Sequence, residues 1–413
     1  MKERTENVTV EHTQDEALPD FPMRRKCPFA APEEYTQLRE TEPVVKVQLP
    51  DGSRVWLITR HEDARKVLAD PRVSADITNP GFPALLPINR TIDKKGFRPP
   101  FMRMDPPEHT HHRRMLIQEF TVRRVRSMAP AVQSIVDGLI DGMLAEGPGL
   151  DLVEKFAVPV PSLVICNLLG VPYTDHEYFE SRTRVLLSFD STPEDLTTAM
   201  TEVRAFLNDL VTAKHEKPGE DLLSALVTNH LDTGGISRPD LLAMVLLLLN
   251  AGHETTSNMI SLGTVLLLQH PEQLAKLKAD PALLPPAIDE LMRTLAIGDF
   301  VPARVAAEDI EIGGTLIREG EGMIALIAAA NHDPAAFEDP GSFDITRGAR
   351  HHLGFGYGVH QCIGQNLARL ELETVFRSLF TRIPDLRLAI PAEEVAYKHE
   401  GAVFGIHELP VTW

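Results

Sequence analysis

The chain of 413 residues has only three cysteines, Cys27, Cys166 and Cys362, an odd number at wide separations. That excludes a disulfide framework and a zinc-ligand pattern, and it points to a reducing compartment. Positive charge is also short: 41 lysines and arginines stand against 59 aspartates and glutamates, a formal net charge of −18 at pH 7. Nucleic acid and anionic membranes are thereby excluded as generic partners, although an acidic protein can still carry one basic docking face. Repeats and low-complexity tracts are lacking. The first twenty residues are polar and acidic, without the apolar core that a signal peptide or anchor needs. A mobile tail on a soluble, cytoplasmic protein is the expectation. One apolar run, residues 241–268, is long enough to span a bilayer. Its middle carries Asn250, His253, Glu254 and Asn258, and ionisable groups at bilayer depth are costly. A central helix buried inside a large protein fits better.

What is present reads as one large domain over residues 21–413, mainly helical, with small sheets at one side. Hydrophobic residues at 43% with 24% charged are ordinary for a globular chain. Residues 44–49 and 54–58, around Pro50-Asp51-Gly52-Ser53, predict a β-hairpin, and 61–68 a helix. Residues 73 to about 104 are rich in proline and glycine without clear period, a long irregular loop of the kind that usually carries function. Helical patterns follow over 108–146, 158–169, 178–215 (broken near Pro193), 240–269, 272–279 and 285–295. Residues 301–306 and 309–312, with a Gly313-Gly314 turn, are β-like, and short strands recur from 386 to 413.

The chemistry concentrates in Phe355-Gly356-Tyr357-Gly358-Val359-His360-Gln361-Cys362-Ile363-Gly364, at the mouth of a helical segment over 367–380. A thiolate at Cys362 would gain from the helix dipole and free backbone N–H groups, and the glycines let something flat approach. A thiolate ligand to haem iron needs such a setting. The alternative is a small buried hydrophobe in a glycine-rich loop. The segment resembles the haem-binding signature of the cytochrome P450 superfamily, with Phe355, Gly356, Gly358, His360, Cys362 and Gly364 in place. The resemblance extends over nearly the whole chain and is nearest to soluble actinomycete monooxygenases.

That resemblance implies further roles. Ala251-Gly252-His253-Glu254-Thr255-Thr256, mid-way along the long apolar helix, matches the oxygen-activating segment, in which Glu254 relays protons and Thr255 holds dioxygen and its water. Threonine back-bonding and Gly252 would loosen the helix there. Glu290 and Arg293, one turn apart on a helix, and Arg347 match a buried ion-pair set that pins the cysteine loop. His109, Arg113, Arg304 and His360 match propionate-binding positions, where carboxylates in a dry site need cationic partners. The implied cofactor is haem b with an axial cysteine thiolate.

The implied reaction is dioxygen activation and hydroxylation of a bulky hydrophobic substrate: a macrolide or other polyketide, a statin-like or steroid-like compound, or a xenobiotic. No flavin or iron–sulfur motif occurs, so electrons are expected from a ferredoxin and its NAD(P)H reductase. Arg72, Arg113, Arg350 and Arg369 would form the basic docking patch of a monomer. By position alone, Phe82, Leu85, Leu86, Ile88 and Phe97 would cover the pocket, and Leu186, Leu187 and Phe189 would form a moving lid. Leu247, Ala251, Ile297, Val301, Val403 and Phe404 would line its walls. A peroxide-driven haem-thiolate enzyme, or a non-catalytic haem sensor, are the rival readings.

Overall fold

Alternation and turn chemistry set the first elements in the computed structural model, which describes residues 18–23, 25, 27–83, 85, 98–188, 190–298, 301–399 and 403–413. Helix α1 (Glu33–Thr41) leads into β1 (Val44–Gln48) and β2 (Arg54–Ile58), paired antiparallel from Val44 opposite Ile58 to Gln48 opposite Arg54. Gly52, at φ +80°, closes the turn in a left-handed conformation that glycine adopts without strain. After α2 (His61–Ala69) and β3 (Val73–Ser74), a short turn over Phe101–Arg103 precedes α3 (Glu108–Ile117).

The helical pattern over 108–146 is not one helix. Thr121 breaks it: its side chain caps α4 (Val122–Glu146) by accepting from the Arg124 N–H. Strand β4 (Leu150–Asp151) follows, then a π-helical turn that opens α5 (Pro159–Leu169), which the left-handed Gly170 ends. The break near Pro193 falls between α6 (His176–Leu187) and α7 (Pro193–Glu216), where Thr192 and Asp195 form a reciprocal capping box. Next come α8 (Leu222–Leu226), α9 (Arg238–Gln269), α10 (Pro271–Ala279) and α11 (Leu284–Leu295).

Strands β5 (Ala303–Ala306), β6 (Ile310–Ile312), β7 (Thr315–Ile317) and β8 (Gly322–Ala325) follow, then α12 (Ile327–Ala330) and α13 (Gln365–Arg382). The chain closes with β9 (Arg387–Leu388), β10 (Ala396–Lys398), β11 (Gly405–Glu408) and β12 (Pro410–Thr412). The largest sheet runs β1-β2-β8-β5-β3, and β2 and β8 are its parallel pair.

Helix α9 belongs to two cores. Its first half, including Leu241, Val245 and Leu249, packs with α5 and α7; its second half, including Ile260, Val265 and Leu267, packs with α4, α11 and α13. The polar residues 250–258 lie at the seam between them. The helix runs unbroken through Gly252, whose missing side chain makes room for Ile165 of α5 and does not loosen the helix. Among the described residues, no helix is long and apolar enough to cross a membrane.

Candidate active site

The loop before α13 is shaped by close approach. Gly356 and Gly358 are left-handed, and a Cβ at Gly358 would collide with the Leu68 carbonyl at the end of α2. The Cys362 N–H donates to the Phe355 carbonyl at 2.8 Å, folding the loop back on itself. The Cys362 thiol is enclosed by protein, yet its surface is open, so it stands on the wall of an internal cleft. Burial pushes this thiol up, against the N–H groups of Gly364 and Gln365 and the Arg113 guanidinium, which favour the thiolate. The donors favour the thiolate as the sequence implies, and a coordinated cation would add to them against the cost of burial.

Beside the cysteine lies a cluster of bases with little to neutralise it. His109 is 1% exposed with both ring nitrogens unpartnered, and its ring is 4.1 Å from that of His360, whose Nδ1 is also unpartnered. Burial, then Arg113, draws His109 down to about 4; burial, then Arg304, draws His360 down to about 3. Arg304 is lowered to about 10 by burial against the pull of Asp105, and Arg103 to about 9 by burial and then by Arg304. Arg113 donates to the Gln361 carbonyl at 2.6 Å. Among the described residues no carboxylate is ion-paired with any of these five side chains, and Asp105 is engaged by Ser74 and the Ala75 N–H at 2.5 and 2.8 Å. The cluster suits a dianionic group, which is what the two haem propionates would supply. Arg103, whose guanidinium lies 5.0 Å over the Phe82 ring, was not anticipated from sequence: its Phe-Met-Arg context carries no motif.

Glu290 and Arg293 are both 0% exposed and bonded in two parallel contacts of 2.8 and 2.7 Å. Arg347 Nε adds a third contact to Glu290 at 3.1 Å. Arg293 also donates to the carbonyls of Asn331, Pro340 and Ser342, while Asn331 accepts from the Leu353 N–H. The set thus ties α11 to the segment that leads into Phe355.

On α9, Ala251 is exposed and Thr255 half-buried, although the helix is otherwise deep. Thr255 Oγ1 donates back to the Ala251 carbonyl at 2.7 Å. Glu254 Oε1 accepts from Asn258 at 3.0 Å and from Lys398 at 3.4 Å; its Oε2 lies 3.8 Å from His253 Nε2. Burial pushes this carboxyl up, but Lys398, His253 and Asn258 outweigh it and hold it below the ordinary range.

The remaining candidates divide. Ile297 and Phe404 are joined directly, the Phe404 N–H donating to the Ile297 carbonyl at 3.0 Å, with Val403 packed on the same core and Val301 39% exposed. Leu247 is partly buried on the core that includes Ile165. Phe82 and Leu85 are buried on the sheet side, in one core with Ala303 and Val305. Leu186 packs with Leu196 and Ala199 between α6 and α7. Leu86, Ile88, Phe97 and Phe189, and the side chain of Leu187, lie outside the described residues.

The docking patch contracts. Arg369 is ion-paired with buried Asp289 and lies 4.9 Å over the Phe355 ring, and Arg113 is turned to the cysteine loop. Arg369 is a support whose charge is met by Asp289, and Arg113 is turned inward onto the Gln361 carbonyl. Arg350 is exposed, and Arg72 is exposed with its guanidinium held by Asp70 at 2.7 Å.

Glu371 on α13 was also missed. It is 2% exposed, its Oε2 has no partner, and burial drives it well above the usual carboxylate range. The available signal was its spacing: Leu367, Glu371 and Val375 share one buried helix face. The folded state keeps this proton while the unfolded chain releases it above pH 4.5, so stability falls as pH rises from there towards the folded-state value. Glu371→Gln lacks that loss. Melting temperatures of variant and parent should coincide near pH 4 and diverge with rising pH in favour of the variant; parallel curves would contradict the burial of a protonated acid.

Comparison with known proteins agrees with this geometry. A family model described as Cytochrome P450 matches residues 175–383. Cytochrome P450 105A3 of Streptomyces carbophilus is 50% identical over 415 residues, covering 100% of both chains. Vitamin D3 dihydroxylase of Streptomyces griseolus is 48% identical, covering 99% of this chain and 100% of its own. Among solved structures, CYP105N1 of Streptomyces coelicolor A3(2) superposes with a TM-score of 0.88 at 51% identity, covering 96% of this chain and 98% of the other. MycCI of Micromonospora griseorubida, solved with mycinamicin VIII, gives 0.91 at 42% identity, covering 96% and 100%.

Proposed function

The chain belongs to the cytochrome P450 family and is a monooxygenase, and we propose that it hydroxylates a bulky hydrophobic natural product or xenobiotic with electrons from a ferredoxin and its reductase. The observation that carries the site assignment is the open Cys362 thiol beside five bases, His109 and Arg304 buried and Arg103, Arg113 and His360 half-buried, that share no ion-paired carboxylate among the described residues. Haem b, when bound, supplies dioxygen activation and the oxidation of the C–H bond.

The protein's own part follows from position. Cys362 Sγ would ligate the iron, with the Gly364 and Gln365 N–H groups aimed at the sulfur to moderate its charge. His109, Arg113, Arg304 and His360, with Arg103, would hold the propionates, and Phe355, Gly356, Gly364 and Ala251 would border the ring. Thr255 would present its hydroxyl to a water in the α9 groove, and Glu254 would pass protons along it. Ile297, Val301, Val403, Phe404 and Leu247 would line an apolar wall that orients substrate and excludes bulk water. The names of its relatives, which include vitamin D3, pentalenic acid and a mycaminosyltylactone, support a large apolar substrate class. Docking of an acidic ferredoxin would fall to Arg72 and Arg350.

The test is a screen of such compounds for the shift in haem spin state that follows displacement of water, then turnover of the best binder by the parent and by Thr255→Ala. The variant should bind normally but form product on the order of 10²-fold more slowly, the scale of a lost proton-handling group, with electrons diverted to peroxide. Undiminished product in Thr255→Ala, with peroxide serving both proteins fully, would favour the peroxide-driven alternative.

A further inference from the structure

The end of α11 is held by a residue 270 positions away in the chain. The last carbonyls of a helix have no partner within it and carry the negative end of its dipole. At α11 the Leu295 and Ala296 carbonyls accept from Arg25, whose Nη1 and Nη2 donate to them at 2.9 Å each. Ala296, which caps the helix, is left-handed at φ +39°. That conformation is strained for a residue with a Cβ and persists only where the surroundings impose it. The chain leaves this bend as Ile297, so Arg25 sits on the turn that aims a wall residue of the cleft.

The same guanidinium meets a second wall residue. Its N–H groups lie in its plane, so spending them on two carbonyls leaves its face for an aromatic ring. That ring is Phe404, 4.8 Å away. Phe404 closes the circuit, since its N–H donates to the Ile297 carbonyl at 3.0 Å. It also stacks with Tyr397 at 6.0 Å and 7°, and Phe29 meets Tyr397 edge-on at 6.1 Å. Arg25 and Phe29 thus both brace this aromatic pair from the chain before α1. At the other end of the arrangement, α11 carries the Glu290–Arg293 pair that ties down the segment leading to Cys362.

We infer that Arg25 is a specificity-determining positioning residue, which fixes the spacing and direction of Ile297 and Phe404 and so sets where a bulky substrate lies relative to the cysteine loop. It acts through these two side chains. Lysine is no substitute, because an ammonium lacks both the rigid fork and the flat face. An arginine that only anchored the chain before α1 would alter stability and leave selectivity alone.

This role rests on the reading of Ile297 and Phe404 as substrate wall, and the experiment separates the two. Two iron-ligating probes are titrated into the holoenzyme: imidazole, too small to span the cleft, and econazole, a bulky apolar azole that must lie against its walls. Imidazole should bind the parent, Arg25→Ala and Arg25→Lys alike. Econazole should bind Arg25→Ala about fivefold more weakly, and Arg25→Lys nearly as weakly. With the compound found by the spin-state screen, the ratio of hydroxylated positions should shift in both variants. In a Phe404→Ala background, Arg25→Ala should add little, because the side chain it positions is already gone. Should Arg25→Ala lose haem, Arg25→Lys alone decides. Parent-like econazole binding and product ratio in the Arg25 variants, while Phe404→Ala and Ile297→Ala weaken econazole, overturn the role of Arg25 and leave the wall standing. An equal loss for both azoles, the mark of general destabilisation, overturns it too. Parent-like econazole binding in Phe404→Ala and Ile297→Ala removes the wall reading and the role of Arg25 with it.

Discussion

Cys362→Ala is expected to abolish monooxygenation, by at least about a thousandfold, while leaving the protein folded. The loop around it does not depend on the sulfur. Its shape comes from the Cys362 N–H to Phe355 carbonyl bond, the left-handed Gly356 and Gly358, and the seat of Gly358 against Leu68, all of which an alanine keeps. The chemistry does depend on it, because no other described side chain near the base cluster offers a soft anionic ligand, and thiolate ligation favours O–O cleavage. The reduced carbonyl complex of the parent should show the red-shifted absorption that thiolate ligation produces. In the variant, haem held by the base cluster should lack it, with circular dichroism unchanged. A thiolate-type spectrum that persists in Cys362→Ala would remove this residue from the iron.

Glu290→Ala should destabilise the protein by about 3–5 kcal/mol, because it strands Arg293 without a counter-ion at full burial. The loss is both electrostatic and geometric. Glu290 Oε1 also accepts from the Asp344 N–H and from Arg347, so four hydrogen bonds from three residues are lost together and the segment leading to Phe355 comes loose. Haem retention should therefore fall along with the denaturation midpoint. Removing both charges as Glu290→Met with Arg293→Leu should cost less than the single change, since an apolar pair leaves fewer buried charges unpaired. A single variant as stable as the parent would mean that water reaches this set, against its full burial.

The fold was legible where periodicity and caps agree. The long helix, the β-hairpin and the break near Pro193 stand where the pattern put them, because apolar spacing, a Gly turn and a capping box each act locally. Thr121 was not read as a break, since apolar spacing continues across it and only its side-chain cap reveals the new helix. At the site, the Cys362 segment and the Glu290 set were visible as motifs. Arg103, Glu371 and the inward turn of Arg369 were not, because each depends on contacts more than twenty residues away or on the lack of any partner. Gly252 shows the same limit: read as a weak point of its helix, it is a close-packing point against Ile165.

The most direct test of the central claim is turnover under isotopically labelled dioxygen, with the compound found by the spin-state screen and a ferredoxin–reductase pair as electron source. One labelled oxygen atom in each hydroxylated product, with the other recovered in water, is the predicted result. Product whose new oxygen comes from solvent, or that forms only when peroxide is added, would contradict it.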